Sequence, residues 1–100
     1  MKNILLLIFM CYLAPNAFAQ MQAPAKEVTC RACHGPMGGS PVAPNYPKLN
    51  NQNKVYLVSS LKAYRAGERK GGLSMIMYSQ AAQLSDADIE ALASYYSMQK

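Results

Sequence analysis

The sequence predicts an all-α domain, and three observations predict it. Apolar side chains recur at helical spacing in two stretches, from Asn53 to Ala66 and from Ser85 to Tyr96. No segment alternates apolar and polar residues over the length of a strand. Between Gly35 and Pro47 stand three glycines and four prolines, a composition that supports a loop and no regular element. Long loops in so short a chain need something central to pack against.

The N-terminal segment stands apart from the fold. "MKNILLLIFMCYLAPNAFA" carries Lys2 near its start, an apolar run from Ile4 to Leu13, Pro15, and then Ala17-Phe18-Ala19. That is the layout of a secretory signal peptide with an A-x-A cleavage site, so residues 1–19 are expected to be removed and residues 20–100 to form the mature domain. The apolar run is shorter than the roughly 20 residues a membrane-spanning helix needs. Cys11 follows the bulky Phe9 and Met10, where lipoprotein processing wants small residues, so it is not read as a lipid anchor.

The remaining 81 residues hold two cysteines, one histidine and no tryptophan. A single domain of this size often needs a disulfide, a metal or a cofactor to complete its core. Without Lys2, nine basic side chains face five acidic ones, a net charge of about +4. That balance suits steering toward acidic partners or membrane surfaces. It is too diffuse for nucleic acid, since Lys62, Arg65, Arg69 and Lys70 form the one cluster, which reads equally well as a solvated helix end.

Residues 20–25 read as a loose terminus, and a short helix from about Ala25 carries "KEVTCRACH". After the Pro- and Gly-rich loop, the helix over 53–66 presents Leu57, Leu61 and Tyr64 at helical spacing, with Val58 alongside, and Gly67 ends it. The stretch "ERKGGLSMIMYSQAAQ", opened by Gly71-Gly72, reads as irregular. The last helix is the best marked. Ser85 is its N-cap with Asp88 three residues on, and Leu84 and Ile89 hold the two positions of a hydrophobic staple. Asp86, Asp88 and Glu90 suit the positive end of its dipole and Lys100 the negative end. Ile89, Leu92, Ala93 and Tyr96 form one apolar stripe.

The chemistry concentrates in "CRACHGPMGG", which begins at Cys30. A structural zinc site wants four Cys or His ligands, and the mature chain owns three. A thioredoxin-type dithiol lives on a βαβ framework that this sequence lacks. Covalent haem attachment is the third reading, and C-x-x-C-H is its spacing. Haem carries two vinyl groups, each able to take a thiol as a thioether. Positions three apart share a helix face at about 5–6 Å, so Cys30 and Cys33 reach both vinyls. His34, next in the chain, is then held beneath the iron as the proximal axial ligand.

For the sixth iron position the mature chain offers five methionines. Met37 is three residues past His34, a reach of at most about 10 Å that cannot pass around a macrocycle. Met21 precedes the cysteines and Met98 sits in the final turn of the last helix. Met75 and Met77 remain. In an extended loop both would face the same side, and either also serves as core filler, so spacing alone does not separate them.

At this point the chain resembles a small class I cytochrome c of the bacterial cytochrome c553/c4 type. The resemblance spans nearly the whole mature chain. It rests on "CRACHG", on "SPVAPNYPKL", on Q-x-x-x-YL-x-x-x-L-x-x-Y-x-x-G-x-R from Gln52 to Arg69, and on M-x-x-x-x-x-x-LSDADI-x-x-L-x-x-YY from Met77 to Tyr96. In that family the axial methionine lies seven residues before the Leu of "LSD", which selects Met77 over Met75. A proline carbonyl after the haem motif typically accepts a hydrogen bond from the proximal imidazole; Pro47 matches best and Pro44 is the runner-up. By the same resemblance Leu49, Tyr56, Leu57, Leu61 and Tyr64 line the haem pocket, and Arg69 lies near a propionate. The chain departs from the pattern in two places. The short segment before Cys30 lacks the Gly and aromatic residues with which the first helix usually crosses the last, and Asn50-Asn51 replaces the usual Ala-Gly before Gln52.

The resulting expectation is a periplasmic one-electron carrier with one haem c and His/Met ligation. Thioether sulfur favours reduced iron and so raises the potential. No catalytic acid–base pair is evident, so no enzyme activity is expected. Redox proteins, among them membrane-bound respiratory complexes, are the expected partners, docking weakly and transiently with Lys48 and Lys62 as guiding charges. The rivals are an electron-transfer subunit of a larger oxidoreductase and a gas-binding or sensing module whose iron lacks methionine.

Overall fold

The computed structural model describes residues 22–100, so the expected signal peptide, Cys11 and Met21 lie outside the described residues. The described part is helical and contains no strand. Helix α1 spans Glu27–His34 and is followed by a 3₁₀ turn at Pro36–Gly38; α2 spans Lys54–Arg65, α3 Ser74–Ala81 and α4 Asp86–Ser97.

Helix α4 begins where its sequence says it should. Ser85 Oγ accepts the Asp88 N–H at 3.0 Å, and Asp88 Oδ2 accepts the Ser85 N–H at 2.9 Å. Leu84 and Ile89 are both buried at the entry, as a staple requires. The predicted stripe of Ile89, Leu92, Ala93 and Tyr96 is buried in full. A large aliphatic side chain contributes about 1.5–3 kcal/mol when buried, against about 1 kcal/mol for a cap. The stripe therefore holds the helix and the cap sets where it starts.

Helix α2 is capped at Asn53, whose Oδ1 accepts the Tyr56 N–H at 3.1 Å. It closes on a Schellman arrangement, with Gly67 N–H donating to Tyr64 O at 3.0 Å and Glu68 N–H to Ala63 O at 2.9 Å. Leu57 packs with Leu84, Ile89, Leu92, Ala93, Tyr95 and Tyr96 into one core between α2 and α4. Arg65 fastens the far end: Nη1 donates to Leu84 O at 3.1 Å and Nη2 meets Asp86 Oδ1 at 2.6 Å. That residue belongs to the basic cluster of the sequence, and here it ties the end of α2 to the start of α4.

Two expectations change. The stretch read as irregular contains α3. It escaped notice because Leu73 provides no side-chain cap, Gly71-Gly72 precedes it, and "SMIMYSQA" shows no one-sided apolar stripe. Packing beside α2 overrides those weak local signals. In the Pro- and Gly-rich loop, expected to hold no regular element, the 3₁₀ turn is the second correction.

The start of α1 also answers its missing crossing residues. Glu27 is 2 % exposed, and Tyr96 Oη donates to its Oε1 at 3.1 Å. A carboxylate–phenol contact joins the first helix to the last where the family pattern uses small and aromatic side chains. The second departure is accommodated as well. Asn51 has φ +58°, in the left-handed region that Asn tolerates, and its N–H donates to Tyr96 O at 2.9 Å.

Candidate functional site

Helix α1 places Cys30, Cys33 and His34 along one wall of a cleft of about 330 Å³. Gly35 and Gly38 let the chain turn sharply behind them. Gly35 has φ +80°, and a Cβ there would sit 1.9 Å from Ser40 O. Gly38 has φ +69°, and a Cβ would press to 2.9 Å on Leu49 and Tyr96. Any larger residue at either position would push the loop off α1 and α4. Val42 N–H then donates to Cys33 O at 3.0 Å, and Leu49 N–H to Gly38 O at 2.8 Å, so the loop folds back over the motif.

His34 is 6 % exposed, and its Nδ1 lies 2.7 Å from Pro47 O. A carbonyl can only accept, so Nδ1 is the donor in this bond and Nε2 is the ring nitrogen left over for a ligand. The bond also fixes the plane of the ring. Pro44, the runner-up for this contact, does not make it: the carbonyl on His34 belongs to Pro47. Cys30 and Cys33 are half-buried free thiols. Burial pushes the Cys30 thiol above the usual range, and its Sγ donates to Lys26 O at 3.7 Å.

The remaining walls are largely apolar. Leu49, Tyr56, Leu57, Leu61 and Tyr64 all line the cleft. From α3, Met77 lines it and Met75 does not. Two residues along a helix are about 200° apart, so the pair that would share a side in an extended loop faces opposite ways here. Met75 is 77 % exposed. Lys48 and Arg69 also line the cleft, whereas Lys62 does not. The Arg69 guanidinium stacks on the Tyr64 ring at 4.4 Å from its centroid. None of the carboxylates lines the cleft.

Sequence reasoning missed the contribution of α4. Leu92, Ala93 and Tyr96 line the cleft as well as the core. Their stripe announced burial, but nothing in it distinguished burial against protein from burial against a ligand. Leu73 and Ile76 of the α3 region were missed because the helix itself was.

Two thiols three residues apart, an adjacent imidazole with a free Nε2, and an apolar slot with cations and no carboxylates fit a flat, mostly apolar, anionic macrocycle held through thioethers. Fold and site therefore define a helical single-haem domain of the c type. The sequence model of the family described as Cytochrome c matches residues 18–97, and the chain belongs to that family. It is 53 % identical over 72 residues to cytochrome c-554(548) of Halomonas halodenitrificans, covering 72 % of this chain and 86 % of that one. It is 36 % identical over 98 residues to cytochrome c4 of Pseudomonas aeruginosa, covering 98 % of this chain and 47 % of the other. The crystal structure of reduced cytochrome c4 from Pseudomonas stutzeri superposes with a TM-score of 0.63 at 38 % identity, over 71 % of this chain and 38 % of that chain. The chain thus spans less than half the length of these cytochrome c4 relatives. The cofactor is covalently bound haem c and the activity is electron transfer.

Proposed function

We propose that the protein is a periplasmic one-electron carrier, exported by residues 1–19 and matured as a single domain over 20–100. Cys30 and Cys33 would hold the haem by thioethers, with His34 Nε2 and Met77 Sδ as the axial donors. Bound haem c supplies a reversible Fe(III)/Fe(II) couple. The observation that carries this reading is the pairing of His34, locked by Pro47, with Met77 in one cleft. Pro47 orients the imidazole and strengthens it as a donor. A thioether donor favours reduced iron and so sets a comparatively high potential. Leu57, Leu61, Leu92 and Ala93 exclude water, and Arg69 is the candidate partner for a propionate.

In this reading the one histidine serves the iron, and the domain carries electrons without catalysis of its own. Among the described residues no helix is long and apolar enough to cross a membrane. Donors and acceptors are redox proteins that dock transiently, with Lys48 at the cleft as the guiding charge. A protein named thiosulfate dehydrogenase electron acceptor, from Thiomonas intermedia, is 37 % identical over 87 residues, covering 87 % of this chain and 38 % of that one. Its name favours a dehydrogenase as donor and keeps open a role as an electron-entry subunit, which size-exclusion of the native complex distinguishes from a free shuttle.

The test is the optical spectrum of protein matured with haem. The oxidised protein should show a methionine-to-iron charge-transfer band that Met77→Ala abolishes and Met75→Ala leaves intact. The reverse pattern would move the sixth ligand to Met75. Absence of the band together with carbon monoxide binding at neutral pH would replace the carrier with a gas-binding module.

A further inference from the structure

Behind the attachment motif lies a polar contact that haem attachment does not call for. Glu27, Cys30 and His34 fall at spacings of three and seven residues, one continuous face of α1. Glu27 is 2 % exposed, in a position where an unpaired carboxylate would be strongly unfavourable. Its Oε1 accepts from Tyr96 Oη at 3.1 Å, and its Oε2 lies 3.7 Å from Arg31 Nε one turn on. The Arg31 side chain is 53 % exposed, so its charge is partly screened by water while the carboxylate's is not. The Tyr96 hydroxyl donates to the Glu27 carboxylate, Cys30 packs against the core cluster that holds Tyr96, and both Tyr96 and Cys30 line the cleft.

We propose that Glu27, held by Tyr96 and Arg31, is a positioning residue that places a buried negative charge behind the Cys30 thioether and lowers the reduction potential of the haem. It deepens the function proposed above and rests on haem being attached at Cys30 and Cys33. Seven helical residues place Glu27 about 10 Å along the axis from His34, close enough for a unit charge to act through a protein interior. A negative charge there stabilises the ferric state, which carries one more positive charge than the ferrous state. Arg31 offsets part of the effect from the surface. The Tyr96 hydrogen bond keeps the carboxylate oriented and joins α1 to α4.

The experiment is a redox titration of the intact haem protein and two variants, at low and high salt. Glu27→Gln retains an oxygen for Tyr96 and removes only the charge. It should raise the reduced-to-oxidised ratio at a fixed applied potential by roughly fivefold, the order expected for a partly neutralised charge at this separation. The rise should persist at high salt. Arg31→Gln, on an exposed side chain and with Tyr96 still donating to Glu27, should lower the ratio, because the carboxylate then stands unneutralised. A purely structural strut would move both variants the same way or neither. Haem-loaded Glu27→Gln with an unchanged or lowered ratio would overturn the inference while leaving the carrier reading intact. Should that variant fail to fold, Arg31→Gln decides alone, and a ratio that stays level or rises overturns the proposal. Colourless wild-type protein would sink the carrier reading itself.

Discussion

Helices α3 and α4 adjoin in sequence and share the cleft, yet they are held by different means. Helix α4 has a reciprocal capping box, a staple and a fully buried stripe, all written in its own residues. Helix α3 has no side-chain cap, follows Gly71-Gly72, and among its eight residues only Ala81 is buried. It leaves Met75 and Ile76 exposed and turns Met77 toward the cleft. The difference teaches that α4 is a scaffold which the chain specifies locally, while α3 depends on what it packs against. An eight-residue helix is far below the length at which a helix stands alone in water. In the haem protein, a Met77–iron bond would supply the anchor that its sequence withholds.

The largest effect should come from removing that anchor. The double substitution Cys30→Ser and Cys33→Ser abolishes covalent haem, so the product should be colourless. By hydrogen exchange its α3 amides should lose protection by orders of magnitude more than those of α4. Equal loss in the two helices would break the comparison, since it would mean that α4 too depends on the cofactor. A smaller effect tests α4 from its own side. Ser85→Ala removes the N-cap acceptor and should cost about 1 kcal/mol, a fall in melting temperature of about 4–8 °C for a domain of this size. The haem spectrum should not change, because Ser85 is absent from the cleft lining.

The smallest effect is acid sensitivity at the same helix start. The Arg65 hydrogen bond and charge hold the Asp86 carboxyl below its ordinary value of 3.8. The Ser85 backbone N–H does the same for Asp88. A carboxyl whose folded pKa is depressed binds its proton more readily unfolded. Its contribution is therefore complete above the ordinary value and disappears as the pH falls through the lower folded value. Both groups are at the surface, so the loss below about pH 4 should be slight. Comparing melting temperatures at pH 3 and pH 6 for wild type and Asp88→Asn checks it: the variant should show the shallower decline.

Much of this was legible in the chain. The N-cap at Ser85, the staple, the stripe from Ile89 to Tyr96 and the stop at Gly67 are local signals, and α4 and α2 follow them to within a residue or so. The spacing of Cys30, Cys33 and His34 pointed to the cofactor because helix geometry alone puts them on one wall. Other features had no local signature. Helix α3 carries no cap and no stripe, so its existence rests on packing beside α2. The orientation of Met77 could not be read while its stretch was taken for a loop. The resemblance to cytochromes c selected it first, and in this structure the helical turn separates it from Met75. The meeting of Glu27 with Tyr96 joins residues 69 apart in sequence, which no periodicity links.

By itself, then, the sequence determined the helical class, the N-cap at Ser85, the stop at Gly67, and the donor set of the attachment motif. Each of these depends on residues within about a turn of one another, and short-range sterics and hydrogen bonding decide them. Only the tertiary structure decided which proline carbonyl meets His34, which methionine faces the cleft, and how a carboxylate at residue 27 comes to be buried. Those outcomes depend on how distant segments pack, where burial and hydrogen bonding summed over many contacts outweigh any local preference.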